Sequence, residues 1–322
     1  MSIKLLLAQI ESALQTIGSA DIPSQLVDAQ QYAIASSGKR VRPMMALLAA
    51  QLFAPELTKE HFCTAVALEV FHTFTLVHDD IMDKAALRRG KPTVVNQYGT
   101  NTAILAGDAL LIRAYDYLGK GNNAAQTLPL FNQMAMAVCE GQQMDVDYEQ
   151  LASISTRQYF DMAGKKTAAL LAAAAAIGGL SAFAGDNDTA LLYDFGYQLG
   201  LAFQVQDDYL DTYGDTAAFG KQTGGDIVQK KKTYLFAAAC EQLSPERKAA
   251  FLQAFASTQL TDNQQISTIT TFYNQAQVNT IANAAISHYF EKSKQSLSKI
   301  PAPTARKDDL WQFAEWIMGR KK

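Results

Sequence analysis

Apolar residues recur every three or four positions along most of this chain, the spacing that gathers them on one face of an α-helix. Runs of alternating β-branched residues and Asn-Gly hairpin turns are absent from the sequence. Glycine and proline residues are widely spaced, and no linker rich in proline, glycine and serine divides the chain. The pattern therefore predicts an all-α fold, with residues 1–322 forming one helical domain.

Composition narrows the possible functions. The chain of 322 residues carries a net charge of −3, so it lacks the general positive field that attracts nucleic acid, and we expect no nucleic-acid partner. Three cysteines lie far apart without a CxxC pattern, which indicates neither a disulfide framework nor a zinc site and fits the reducing cytoplasm. The most apolar stretch, 167–180, is shorter than the about 20 residues that span a bilayer, so we expect no integral membrane segment.

Three aspartates lie close together in the sequence HDDIMD at residues 78–83. On a helix through this stretch, His72, Asp79 and Asp83 share one face with Thr75, and Asp80 lies beside them. Like charges at this spacing cost a few tenths of a kcal/mol per pair even in solvent, so such a cluster favours a bound cation.

A second cluster, QDDYLD at 206–211, echoes the first. On a helix, Phe203, Asp207 and Asp211 share one face, with Gln204 and Asp208 on the adjoining stripe. Oxygen ligands without nearby cysteine suit Mg²⁺, which prefers one or two carboxylates together with waters and phosphate oxygens. Two carboxylate clusters with arginine and lysine nearby are typical of a diphosphate site.

The residues alone leave open either phosphoryl transfer or loss of the whole diphosphate from carbon. The sequence contains neither a Walker loop nor a kinase glycine-rich loop. Ionisation at carbon needs a dry cavity in which aromatic faces stabilise positive charge, and several aromatic residues lie near the two clusters: Phe71, Phe74, Phe203 and Tyr209.

The chain closely resembles the trans-isoprenyl diphosphate synthases, or polyprenyl synthetases, which are all-helical head-to-tail prenyltransferases. Six ordered blocks carry the resemblance: GKRVRP (38–43), FHTFTLVHDDIMDKAALRRGKPT (71–93), EGQQMDV (140–146), GKKTAAL (164–170), FQVQDDYLD (203–211) and FGKQTGGDIVQKKKTYL (219–235). The resemblance implies a single-domain isoprenoid synthase-type helical bundle around a central cavity, in which the two acid clusters face each other. It also implies a homodimer.

The resemblance assigns roles to particular residues. Three Mg²⁺ ions would bind Asp79, Asp83 and Asp207, with Asp80, Asp208 and Asp211 in support. The residues that bind isopentenyl diphosphate would be Lys39, Arg42, His72 and Arg89. Those that bind the allylic diphosphate would be Arg88, Gln142, Lys166, Lys221 and Lys231. The residues that assist the reaction directly would be Lys166, Thr167, Gln204 and Arg88.

In the implied reaction, Mg²⁺ and basic residues draw diphosphate from dimethylallyl, geranyl or farnesyl diphosphate and leave an allylic cation. The alkene of isopentenyl diphosphate attacks this cation, and the departing diphosphate takes the proton that is then lost. The closing GRKK (319–322) resembles a basic tail that folds over the site in some members, and a solubilising charge is the alternative.

The first acid cluster also bears on product length. In this family the residues five and four before its first aspartate, here Phe74 and Thr75, form part of the floor of the product tunnel. With the short DDxxD spacing, they most resemble archaeal geranylgeranyl diphosphate synthases and predict a C20 product. Farnesyl diphosphate (C15) is the alternative, followed by a longer-chain polyprenyl synthase, a terpene cyclase and a non-catalytic partner subunit.

Overall fold

The computed structural model describes residues 3–17, 23–36, 38–214 and 223–319. Within these ranges the only strands are β1 (Leu87–Arg88) and β2 (Lys91–Pro92), so the predicted all-α fold is confirmed. The helices are α1 (Ile3–Gln15), α2 (Ser24–Ala35), α3 (Val41–Gln51), α4 (Lys59–Met82), α5 (Val94–Tyr98), α6 (Thr100–Gly119), α7 (Ala124–Glu149), α8 (Thr156–Ala163), α9 (Ala169–Ser181), α10 (Asp186–Tyr213), α11 (Gly225–Val228), α12 (Tyr234–Gln242), α13 (Pro245–Ala256), α14 (Asp262–Gln275), α15 (Val278–Ser298) and α16 (Thr304–Met318).

Between α8 and α9, residues Gly164–Ala168 form a π-helical turn, here called the π-turn. The described residues fall into two compact units. The first unit takes residues from 1–132, 173–193 and 300–310, and the second takes those from 133–172, 194–299 and 311–322. The assignment of 1–322 as one domain stays a prediction. No helix in the described ranges has the length and continuous apolar character of a membrane span.

Helix α4 is the central element of the first unit and packs against α1, α3 and α6. Its start is fixed by a capping box, in which the Thr58 backbone N–H donates to His61 Nδ1 at 3.0 Å. Its middle turns are fully buried, including Leu68 and Phe71, so packing holds the helix rigidly. The helix ends at Met82, and the first acid cluster therefore lies on its last turn.

The core of the second unit is a cluster of aromatic rings contributed by α12, α13 and α14. Phe236 on α12 lies 5.3 Å from the Phe251 ring centroid and 4.5 Å from that of Phe255, and Phe251 also packs on Tyr273. All four side chains are buried. This cluster gives the loop that precedes α12 a rigid base.

Arg40 joins three helices of the first unit. Its guanidinium donates to Glu11 of α1 at 2.8 Å, to Glu69 of α4 at 2.9 Å and to the Ile34 carbonyl of α2 at 3.0 Å. Arg40 and Glu69 are both buried, and Arg40 adopts the left-handed backbone conformation (φ 51°) immediately before α3. Since Arg40 lies between Lys39 and Arg42, this buried network fixes the loop that carries both.

We expect Arg40→Met to lower the unfolding temperature strongly, because loss of the guanidinium leaves Glu69 buried and uncompensated, at a cost of about 3–5 kcal/mol. The Arg40→Met/Glu69→Met double variant should recover part of that loss, because no buried charge remains. Thermal unfolding of the variants measures both effects. Glu11→Gln is the matched control and should cost less than about 1 kcal/mol, since Glu11 is partly exposed. A double variant no more stable than Arg40→Met would contradict this account.

Candidate active site

The first acid cluster divides into a buried and an accessible part. Asp80 is buried, and its Oδ1 atom accepts hydrogen bonds from both Nε and Nη2 of Arg88 at 2.8 Å. Burial raises the pKa of Asp80, and the Arg88 guanidinium opposes that rise. Asp79 is half-buried and Asp83 is exposed. Asp80 therefore orients Arg88, while Asp79 and Asp83 are more accessible to a ligand.

A short hairpin sends Arg88 and Arg89 in different directions. β1 pairs antiparallel with β2, and the two turn residues, Arg89 (φ 54°) and Gly90 (φ 76°), both have the positive φ of a type I′ turn. Arg88 reaches back to Asp80, whereas Arg89 donates to the Ser36 carbonyl at 3.2 Å. The Arg89 guanidinium also lies against Gly38, where a Cβ would come within 2.5 Å of Nη1. This divergence would let adjacent arginines bind two different anions.

His72 lies among the arginines of the first unit. Burial, together with the positive charges of Arg42 and Arg89, lowers the pKa of His72 well below its usual range, so its imidazole is neutral at neutral pH. Three of the four residues predicted to bind isopentenyl diphosphate are thus close enough to interact electrostatically. Lys39 is exposed on the loop that also carries Arg42.

Upstream of the acid cluster, aromatic rings form a continuous row. Phe74 lies 5.5 Å from the Phe71 ring centroid and 4.8 Å from that of His78, and Phe71 packs in turn on Phe131. His78 reaches α6, where its Nε2 lies 3.3 Å from the Ile104 carbonyl. The Phe74 ring, one of the two predicted floor residues, is therefore supported from both sides. The hydroxyl of the other, Thr75, donates to the His72 carbonyl at 2.8 Å.

In the second unit, the π-turn carries Lys166 and Thr167. Such turns are frequent at functional sites, because the extra residue redirects side chains away from the regular helical positions. Helix α7 approaches the turn so closely that a Cβ on Gly141 would lie 2.2 Å from the backbone nitrogen of Lys166. The Lys166 ammonium donates to Asp145 of α7 at 2.5 Å. Gln142, the next residue after Gly141, is half-buried.

Thr167 begins a chain of hydrogen bonds that passes through two side chains of α10. Its hydroxyl donates to Gln204 Oε1 at 2.8 Å, and Gln204 Nε2 donates to Asp208 Oδ1 at 2.9 Å. The second Asp208 oxygen accepts from the Tyr234 backbone N–H at 2.8 Å, at the start of α12. Burial raises the pKa of Asp208 to about 6. The chain fixes which way the Gln204 amide points, with its N–H groups toward the acid cluster.

A fourth carboxylate joins the second cluster. The Asp211 Oδ2 atom accepts from the Asp226 backbone N–H at 2.9 Å, and the Asp211 carbonyl accepts from Gly224. Burial raises the pKa of Asp226 well above its usual range, and the charges of Asp211 and Asp208 raise it further, while the Lys231 ammonium opposes the rise. Asp226 is not among the site residues predicted from the sequence. The signal that could have found it is the Gly-Gly-Asp sequence shortly after the second acid cluster.

The donor atoms suit a metal ion that shares its ligands with a substrate. In the described part of the chain, no three histidine, cysteine, aspartate or glutamate side chains are arranged to hold a metal ion by themselves. Mg²⁺ does not need such a cage, because waters and phosphate oxygens complete its octahedron. Both acid clusters lie near helix C-termini, those of α4 and α10, where the negative end of the helix dipole adds to the carboxylate charge. Both positions therefore favour a cation.

Two predicted features lie outside the described residues: Lys221 and, beyond Gly319, the basic tail. Lys232, the neighbour of Lys231, is buried against aromatic rings. Its aliphatic stem and the faces of Phe236 and Phe255 account for that burial.

Comparisons of this chain with protein families, with characterised proteins and with solved structures all find prenyl diphosphate synthases. The sequence model described as polyprenyl synthetase matches residues 23–273. A geranylgeranyl diphosphate synthase of Sulfolobus acidocaldarius is 37% identical over 254 residues, 77% of this chain and 76% of that protein. A geranylfarnesyl diphosphate synthase of Natronomonas pharaonis is 38% identical over 239 residues, 68% of this chain and 70% of that protein. A crystal structure of a geranylgeranyl pyrophosphate synthase superposes with a TM-score of 0.92 at 36% identity and covers 100% of both chains.

We expect Asp226→Asn to raise the unfolding temperature in the absence of metal, by roughly 2–4 °C for each kcal/mol of repulsion removed. The folded-state pKa of Asp226 is raised above the unfolded value of about 3.9, so the wild-type carboxylate destabilises the fold at neutral pH. That cost disappears as the pH falls toward 4, so the difference between variant and wild type should shrink there.

Thermal unfolding in EDTA at a series of pH values from 4.5 to 8 measures this effect. Asp161→Asn, which changes an exposed carboxylate of the same unit, is the matched control and should not change the unfolding temperature. An Asp226→Asn variant less stable than wild type at neutral pH would show that its carboxylate holds the fold together.

Proposed function

The chain belongs to the polyprenyl synthetase family and is a prenyltransferase, and we propose that it condenses isopentenyl diphosphate head to tail with allylic diphosphates to give geranylgeranyl diphosphate. One observation carries the proposal. The long helices α4 and α10 each end in a carboxylate cluster. Each cluster is accompanied by a cationic side chain, Arg88 beside the first and Lys231 beside the second. Carboxylates with neighbouring cations are the groups that a metal-bound diphosphate requires.

We propose that Asp79, Asp83 and Asp207 would hold three Mg²⁺ ions, as in the family, and that bound Mg²⁺ would supply positive charge to the diphosphate leaving group. Arg88, oriented by Asp80, binds the allylic diphosphate together with Gln142, Lys166, Lys221 and Lys231. Lys166 and Thr167 act from the π-turn, and Gln204 presents an amide oriented by Asp208. The oxygen atoms of the Thr167 hydroxyl and the Gln204 amide, fixed by these hydrogen bonds, stabilise the allylic cation without reorganisation during the reaction, while the Lys166 ammonium stabilises the departing diphosphate.

We assign the isopentenyl diphosphate site to Lys39, Arg42, His72 and Arg89. The depressed pKa of His72 supports the assignment, because a neutral imidazole donates a hydrogen bond to a phosphate oxygen without adding to the repulsion among the arginines. The buried Arg40 network keeps the loop in place, so the cations are positioned before the anion arrives. Such preorganisation lowers the entropy cost of binding.

Product length is the finer part of the proposal, since relatives of similar identity are named for geranylgeranyl and for geranylfarnesyl products. Phe74 lies five residues before Asp79, about 7.5 Å along the helix at 1.5 Å per residue. The rings of Phe71 and His78 support it, so it is a firm barrier to a growing chain. This support favours C20 over C25 or longer products.

We further propose that the enzyme works in the cytoplasm as a homodimer. The three cysteines are free thiols, as is usual in a reducing compartment. Helix α6 exposes large apolar side chains seven residues apart, with Leu105 58% and Ile112 70% exposed. Apolar residues at that spacing form a stripe along one helix face, which a second copy of the chain can cover.

The purified protein, given Mg²⁺, isopentenyl diphosphate and each of the C5, C10 and C15 allylic diphosphates in turn, should form geranylgeranyl diphosphate from all three. Chromatography of the dephosphorylated products measures their length, and EDTA should abolish the reaction. Failure to condense any primer would overturn the proposal. Hydrocarbon released from an allylic diphosphate without isopentenyl diphosphate would instead indicate a terpene cyclase.

Phe74→Ala should lengthen the main product by at least one C5 unit, because the ring that ends the growing chain is gone. Phe74→Leu is the matched variant and should shift the distribution less, since most of the side-chain volume remains. The same chromatography measures both. A product distribution identical to wild type in Phe74→Ala would show that another residue sets the length.

A further inference from the structure

The three consecutive lysines 230–232 follow α11 in a tightly defined backbone conformation. Helix α11 ends in a Schellman motif, in which the Lys231 N–H donates to the Asp226 carbonyl at 2.9 Å and the Lys230 N–H donates to the Ile227 carbonyl at 3.1 Å. The motif requires Lys230 to adopt the left-handed conformation (φ 55°). Glycine usually fills this position, and a side chain there costs on the order of 1–2 kcal/mol. The backbone of Lys230 therefore carries a conformational cost that contacts of its side chain can offset.

The Lys230 side chain caps a different helix. Its ammonium donates to the Ala256 carbonyl at 3.0 Å and to the Ser257 carbonyl at 2.9 Å, both at the C-terminal end of α13. Carbonyls at a helix end lack partners within the helix, and a cation there also interacts favourably with the helix dipole. Lys230 thus ties the loop after α11 to the end of α13.

Lys232 makes a second attachment of a different kind. Only 8% of its surface is exposed, and its ammonium lies 4.5 Å from the Phe236 ring centroid and 4.7 Å from that of Phe255. Burial lowers the pKa of Lys232, which shows that burying it has an electrostatic cost. Contact with two aromatic faces compensates part of that cost. Both rings belong to the rigid aromatic core of the second unit, on α12 and α13.

Lys231 lies between these two attachments and near the acid cluster. Its ammonium is close enough to Asp211 and Asp226 to oppose the rise in the pKa of both carboxyl groups. A lysine side chain has about 2 kcal/mol of rotamer entropy and little intrinsic directionality. Backbone anchors on both sides reduce the positions that its ammonium can reach.

We propose that Lys230 and Lys232 are positioning residues that hold Lys231 beside the second acid cluster and thereby set the affinity for the allylic diphosphate. The inference rests on the proposed function, in which Lys231 binds that diphosphate. Within the three lysines, the outer two anchor the backbone and the central one meets the substrate.

The test compares Lys230→Gly, Lys232→Met and Lys231→Gln in steady-state kinetics with each substrate varied separately. Lys230→Gly relieves the backbone strain, so the fold is retained while the cap is lost. Lys232→Met keeps the packing against the two rings and removes the charge. We expect each anchor variant to raise the KM for the allylic diphosphate about tenfold, with kcat and the KM for isopentenyl diphosphate within about twofold of wild type.

Three comparisons separate positioning from general damage. Lys230→Arg keeps a cationic cap and should restore the allylic KM, and Lys299→Gln, at an exposed lysine of the same unit, should leave all constants unchanged. The Lys230→Gly/Lys231→Gln double variant should be no worse than Lys231→Gln alone, because Lys230 acts through Lys231.

The outcomes also separate this inference from the proposed function. A normal allylic KM in Lys231→Gln would refute the role of Lys231 itself. A raised KM in Lys231→Gln but not in Lys230→Gly or Lys232→Met would refute positioning and leave the proposed function intact. Equal increases in the KM for both substrates would indicate general distortion of the site and would also refute positioning.

Discussion

Repulsion among carboxylates at the ends of α4 and α10 is the constraint on which much of the remaining structure depends. Each cluster has several acids within two helical turns, at the end of the helix where the dipole is already unfavourable to negative charge. The raised pKa values of Asp80, Asp208, Asp211 and Asp226 show that burial makes the problem worse. A fold that keeps such groups must hold them in place with other interactions, and its stability increases when a cation binds to them.

Some of these acids are held in place by hydrogen bonds that they accept from backbone N–H groups and from an arginine side chain. Asp80 accepts hydrogen bonds from Nε and Nη2 of Arg88. Asp208 accepts one from the first backbone N–H of α12, and Asp211 accepts one from the backbone N–H of Asp226. These bonds compensate the buried charges and simultaneously fix the segments that carry Arg88 and Lys231. Carboxylates that are not themselves proposed to bind a ligand thus determine the positions of the cationic side chains of Arg88 and Lys231. The basic segments show the same division, since Arg40 is buried in an ion-pair network between the exposed Lys39 and the half-buried Arg42.

Sequence periodicity was sufficient for the helical class and for the placement of both acid clusters on helices, because apolar spacing reports directly on α4 and α10. It could not reveal the π-turn at Lys166 and Thr167, since one extra residue in a turn does not alter the surrounding pattern of alanine and leucine. The hairpin of β1 and β2 was also missed, because its turn is Arg89-Gly90 instead of the Asn-Gly that signals a type I′ turn. Burial of Lys232 depends on Phe255, 23 residues further along the chain, and no local pattern encodes that contact.

A lysine in a left-handed conformation, a buried lysine between two rings and several acids with raised pKa values are each unfavourable when considered alone. They occur close together in the second unit, where the loop after α11 carries the two lysines and Lys231 interacts with the carboxylates of Asp211 on α10 and Asp226 on α11. Stability is lost at each of these positions and recovered in the aromatic core beneath, where Phe236, Phe251 and Tyr273 are fully buried. Concentrated strain next to a rigid core is the arrangement expected of a site whose charges are balanced only when ligand is bound.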